Sequence, residues 1–181
     1  MNDFFNKADL SRNDAEKIIS ETLNKCDDGE LYLENSKSES ILLDDGKIKN
    51  STYSSDLGYG LRAVTGEVVA YSHSNEISKN SLKQSADNLS STLKSKKGVY
   101  NHKIPKTNEQ FYKNINPIEE KSLQSKLELL KEVNNYTRAK SGIVHQVTAS
   151  FSGEHKSIEI IRSGGEAVSY THLTLPTKRI V

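Results

Sequence analysis

From Ser11 onward the apolar side chains Ala15, Ile18, Ile19 and Leu23, with Thr22 among them, recur at helical spacing. That pattern predicts a helix with one buried face running to about Lys25, capped by Ser11, with Asp14 in its first turn. Asp27-Asp28-Gly29 ends it, and the period then drops to two. Leu31 and Leu33 alternate with Glu30, Tyr32 and Glu34, the mark of a half-buried strand over 30–35. A second strand is expected over 39–44, and Asp44-Asp45-Gly46 is a hairpin signal leading into 47–54. Residues 57–65 and 68–74 form a further pair about Gly66. Ser78 then caps a helix whose Leu82, Ala86, Leu89 and Leu93 line one side.

Periodicity fails between Ser95 and Gln110, a polar stretch carrying Gly98 and Pro105. Beyond it, Leu123, Leu127, Leu130 and Val133 predict a long amphipathic helix over about 118–139. Strands over 143–151 and 156–162 follow, and Gly164-Gly165 turns the chain. The fold class read from this order is α+β: an antiparallel β-meander packed by two helices, followed by the start of a second α/β unit. The expected division is a first domain over 1–95, a linker over 96–112, and an incomplete middle domain of helix plus β-hairpin over 113–167.

The last stretch, Val168-Ser-Tyr-Thr-His-Leu-Thr-Leu-Pro-Thr177, departs from this logic. It resembles, residue for residue, one reading frame of the transposase-end adapter used to prepare sequencing libraries. The adapter's variable index and its stop codon account for Lys178 to Val181. The expectation is therefore that 168–181 is not native and that the natural protein runs on beyond Ala167.

Charge shifts with that assignment. The chain has 25 Lys+Arg and 24 Asp+Glu, a formal net charge of +1. Without Lys178 and Arg179 the count is 23 against 24, a net charge of −1. Neither value supplies the clustered basic excess of a nucleic-acid or anionic-membrane surface. No apolar run approaches a membrane span, and Met1-Asn-Asp-Phe-Phe-Asn6 lacks the pattern of a secretion signal. Cys26 is the single cysteine, so no internal disulfide framework exists and a cytoplasmic location is expected.

Candidate chemistry is sparse. His73, His102, His145 and His155 show no i, i+4 pairing on a helix, and His172 belongs to the adapter-like tail. Cys26 lies beside Asp27 and Asp28, whose charges oppose a thiolate. Gly58-Tyr59-Gly60 is half of a phosphate-loop pattern, and close backbone approach explains it more simply. No nucleophile elbow occurs.

A denser pattern is the ordered block Ser36-Lys37-Ser38-Glu39-Ser40, Asp44-Asp45-Gly46 and Gly58-Tyr59-Gly60-Leu61-Arg62, then Gly66-Glu67. This block resembles the N-terminal domain of the TldD/PmbA family, also called modulators of DNA gyrase. The likeness covers nearly all of 10–167, through Tyr71, both later helices and Val147-Thr-Ala-Ser-Phe-Ser-Gly-Glu154. Lys37 stands where the family usually has Arg, and Tyr59 where it usually has Val.

The resemblance implies a cytoplasmic TldD-like zinc metallopeptidase that hydrolyses unfolded or extended peptides beside a TldE/PmbA-like subunit, by metal-assisted hydrolysis. The ligands it implies, a His-Glu-x-x-x-His helix and a distant Cys, lie outside this chain, so no catalytic or metal residue is assigned and no cofactor is expected in 1–181. Ser38, Glu39, Ser40 and Arg62 are the candidates for a substrate channel or subunit interface. The plainer reading makes Arg62 a scaffold residue paired with Glu39 or Glu67. Two rivals stand beside the peptidase: a non-catalytic TldE/PmbA-like partner, and a stand-alone binding module ending near 167. Direct contact with nucleic acid or membrane is not expected.

Overall fold

The computed structural model describes residues 4–5, 9–93 and 115–162, and the backbone of 167–174. The expected linker over 96–112, the Gly164-Gly165 turn, His102 and the His172 side chain lie outside the described residues. One five-stranded sheet has the order β3-β2-β1-β4-β5, built from β1 (Asp28–Asp44), β2 (Lys47–Thr65), β3 (Val68–Ser74), β4 (Thr148–Arg162) and β5 (Ala167–Thr174). β2 and β3 are antiparallel, with Tyr59 opposite Ser74 and Thr65 opposite Val68. Links from Asp44 to Thr148, Ser36 to Glu154 and Glu30 to Arg162 show β1 and β4 running in opposite directions. The α+β class and its antiparallel sheet are as the periodicity indicates.

Two compact units divide the chain, and they interleave. One comprises Met1–Asn35, Asp56–Lys113 and Ser157–Thr171; the other comprises Ser36–Ser55, Asn114–Lys156 and His172–Val181. β1, β2 and β4 each supply residues to both. Those strands are longer than the alternation suggests. The polar run Asn35-Ser-Lys-Ser38 reads as a break, yet β1 is continuous through it. These residues are only half-buried, so they stay extended without apolar side chains. β2 is likewise a single strand, although its Lys47–Leu57 half is exposed, and Ser152-Gly153 does not interrupt β4. Residues 143–147 are not strand, so the expected hairpin of 143–151 with 156–162 is one strand instead.

In the first unit, α1 (Arg12–Leu23) starts at Ser11, whose hydroxyl accepts the Asp14 N–H at 3.1 Å. α2 (Lys79–Thr92) starts at Ser78, which accepts the Ser81 N–H at 3.1 Å. Their inward residues Ile19, Leu23, Leu82 and Leu89 join Leu31, Leu33, Leu61, Ala63, Ala70 and Ile161 in one core. Each fully buried leucine or isoleucine there contributes about 1.5–3 kcal/mol. Tyr59, the departure from the family pattern, is buried in this core with a satisfied hydroxyl. Ser81 and Ser85 lie 2.8 and 2.9 Å from it, and Ser72 donates to Ser85 at 3.0 Å.

In the second unit, the single helix expected over 118–139 is two: α3 (Pro117–Glu120) and α4 (Leu123–Lys140). Lys121 is extended, and Ser122 opens a new helix by accepting the Ser125 N–H at 3.2 Å. The buried stripe of α4 is Lys126, Leu130 and Asn134, while Leu123 is exposed. Leu130 packs with Ile41, Leu43 and Ala149. Asp45 and Gly46, with φ of 52° and 76°, make the tight turn from β1 to β2.

Candidate functional site

The Ser36–Ser40 stretch lies on β1 in the second unit, and strand alternation turns its odd and even residues to opposite faces. Glu39 is turned inward. Its carboxylate accepts from the Lys126 ammonium at 2.5 Å, and both side chains are nearly closed to solvent, 8% and 6% exposed. Lys126 also donates to the Ile118 carbonyl at 2.6 Å, and its charge sits 5.8 Å from the centre of the Phe151 ring. This lysine thereby ties α3, α4, β1 and β4 together within one unit. Two hydrogen bonds and an aromatic face offset the cost of taking the charge out of water.

Ser38 and Ser40 are half-buried on the other face of β1. Ser36 donates to Glu154 at 3.4 Å, and Lys37 is ion-paired with Glu119 at the start of α3. That bond raises the Lys37 pKa and lowers that of Glu119. His155 is buried near this pair, and its Nε2 has no hydrogen-bond partner. Burial, and then the nearby Lys37 charge, lower its pKa; Glu119 acts weakly the other way.

Arg62 stands in the first unit, 40% exposed, with its guanidinium 3.0 Å from Asp28. Its ion-pair partner is thus neither Glu39 nor Glu67. Nearby, a Cβ on Gly60 would come 2.5 Å from the hydroxyl oxygen of Tyr71, the far end of an exposed side chain, whereas a Cβ on Gly58 would come 2.8 Å from the Ser74 carbonyl oxygen. Close backbone approach thus accounts for Gly58 without a phosphate. Tyr71 also stacks on His73, with ring centroids 5.8 Å apart. The Cys26 thiol is buried, and desolvation raises its pKa, which disfavours a nucleophilic role at neutral pH.

Among the described residues no three His, Cys, Asp or Glu side chains converge to hold a cation. His155 is enclosed beside a lysine, and Cys26 is enclosed at the end of α1. The polar centre of the second unit, Lys126 with Glu39, went unrecognised in the apolar pattern. Its one signal is the i, i+4, i+8 spacing of Lys126, Leu130 and Asn134.

Two domain models match in the order that the elements suggest. Residues 29–93 match the PmbA/TldA metallopeptidase domain 1, and residues 116–174 match the PmbA/TldA metallopeptidase central domain. The chain belongs to the TldD/PmbA family. Curated relatives agree: a "Metalloprotease TldD homolog" of Buchnera aphidicola is 35% identical over 80% of this chain. Its namesake from Haemophilus influenzae is 32% identical over 77%. The chain spans about 30% of the length of each.

Solved structures share the fold. A modulator of DNA gyrase from Bacteroides thetaiotaomicron aligns over 90% of this chain and 38% of its own, with TM-score 0.64 and 17% identity. TldE from Thermococcus kodakarensis aligns over 92% of this chain and 42% of its own, with TM-score 0.59 and 14% identity. The central-domain match passes Ala167 and reaches Thr174, the span of β5. Val168-Ser-Tyr-Thr-His-Leu-Thr174 is rich in strand-forming residues, so extending a sheet does not distinguish native from foreign codons.

Proposed function

We propose that this chain is the N-terminal part of a TldD-like, zinc-dependent metallopeptidase of the cytoplasm that hydrolyses unfolded or extended peptides beside a TldE/PmbA-like subunit. The single observation that carries the proposal is the 35% identity to a metalloprotease TldD homologue, held over 80% of this chain. In the proposal, the sheet and its helices are scaffold and subunit interface, and hydrolysis belongs to residues beyond 167. Glu39 serves as a scaffold residue, held by Lys126. Arg62 and the half-buried Ser38 and Ser40 remain accessible to a neighbouring subunit or a peptide. Neither 1–167 nor 1–181 hydrolyses peptide alone.

The test is a peptidase assay on the full-length protein from the source genome, purified with its TldE-like partner. Cleavage of an unstructured peptide, abolished by a chelator and restored by zinc, is the expected result. A complete, folded complex that cleaves nothing under those conditions overturns the peptidase reading. The TldE-like partner role then takes its place.

A further inference from the structure

We propose that α3 is a proton-released clasp: an imidazolium at His155 frees this short helix from the strands it covers. Every part belongs to the second unit. The backbone bond from the Asp45 N–H to the Val147 carbonyl, with the Asp44 contact to Thr148, sets the register of β1 on β4. Equal steps along the two strands from Asp45 and Val147 place Lys37 opposite His155. Burial agrees, since Glu39, Ile41 and Leu43 of β1 turn inward with Ala149 and His155 of β4. Residues so opposed hold their Cβ atoms about 4.5–5.5 Å apart, and like charges there repel.

His155 is 9% exposed, and its Nε2 has no hydrogen-bond partner. A neutral imidazole is tolerated in that place. An imidazolium has two N–H donors to satisfy and also faces the Lys37 ammonium. Among the described residues, the charged groups acting on it are Lys37 from β1 and Glu119 from α3, and the Lys37 charge outweighs that of Glu119. Deeper in the unit, Glu39 and the α4 residue Lys126 neutralise each other. Pairing raises the Lys37 pKa and lowers that of Glu119, so both stay charged at neutral and mildly acidic pH. The imidazole is the member of this group that changes charge there.

Hydration of the imidazolium requires one of the covering elements to move. β1 lies between β2 and β4, and β4 between β1 and β5, so backbone ladders hold both strands. α3 has no ladder. It is four residues long, too short to persist as an isolated helix. The buried Ile118 side chain seats it, with the Ile118 carbonyl accepting from Lys126 at 2.6 Å and Glu119 paired to Lys37. Release of α3 admits water to His155 and leaves Lys126 its partner Glu39. The closed form therefore binds the proton less readily than the open form, and acid favours opening.

The test is nuclear magnetic resonance on the chain of residues 1–181, with labelled isoleucine methyls and histidine rings. A water-soluble gadolinium chelate is the probe of exposure. The Ile118 methyl should be protected at neutral pH. Its open-to-closed ratio should rise about tenfold per pH unit below 6.5, until the imidazole is fully protonated. Ile41 of the same unit should stay protected throughout. His155→Gln should leave Ile118 protected across the whole range. Lys37→Gln should raise the His155 titration midpoint, and Glu119→Gln should lower it.

An Ile118 methyl that stays protected while His155 titrates overturns the proposal, as does an unchanged acid response in His155→Gln. Exposure of Ile41 at the same midpoint as Ile118 also overturns it, because the unit then unfolds as a whole. The two charge variants decide the matter if His155→Gln does not fold: midpoint shifts of the same sign, or none, contradict the clasp.

Discussion

Lys126 brings a positive charge into the second unit, where Glu39, the Ile118 carbonyl and the Phe151 ring receive it. Lys126→Ala leaves the Glu39 carboxylate enclosed without its partner and should cost about 3–5 kcal/mol. Replacing both at once, Lys126→Met with Glu39→Leu, should recover most of that loss, because an apolar pair of similar volume carries no buried charge. Urea unfolding of the three proteins checks both. His155 gives a prediction with a sign. Its folded pKa lies below the ordinary 6.5, so the unfolded chain binds the proton more readily. Stability should therefore be intact above that value and decline as pH falls through about 6.5. The lowered Glu119 and Asp44 act only in the more acidic carboxylate range. His155→Gln should flatten the thermal-midpoint profile between about pH 7 and 5 and leave the acid limb unchanged. Neither residue was legible as important in the sequence. Lysine and histidine on amphipathic elements ordinarily face water, and only long-range contacts with β1 and α3 show otherwise.

Among the elements, α1 and α2 were legible with their caps, because Ser11 and Ser78 precede clean apolar stripes. The break between α3 and α4 was not. Leu123, Leu127, Leu130 and Val133 suit a continuous helix, and they conceal the second start at Ser122. Ser122→Ala should lower stability by about 1 kcal/mol, measurable as a drop in thermal midpoint with little change in helical circular dichroism. Equal stability of the two proteins would show that the cap contributes nothing. The long strands were misread as shorter pieces for a related reason. Alternation reports burial, and residues 35–38 of β1 and 47–57 of β2 are extended without being buried. β-structure held by neighbouring backbone leaves little trace in hydrophobic pattern.

At the scale of the whole molecule, two interleaved units carry the first two domains of a TldD/PmbA protein in about 30% of the length of its curated relatives. Among the described residues, no helix is long and apolar enough to cross a membrane. The family was legible because the Ser-x-Ser-Glu-Ser block, the Asp-Asp-Gly turn and the paired glycines are local signals that follow one another in order along the chain. The roles of Ser38, Glu39, Ser40 and Arg62 were not, because the sequence does not say which partner each side chain meets. Glu39 meets Lys126, and Arg62 meets Asp28. One measurement tests the central claim most directly: sequencing the gene in genomic DNA from the source, through and beyond codon 167. The account predicts that the frame diverges from Val168-Ser-Tyr-Thr-His172 and later encodes His-Glu-x-x-x-His. A native frame that encodes Val168 to Val181 and then stops would contradict it.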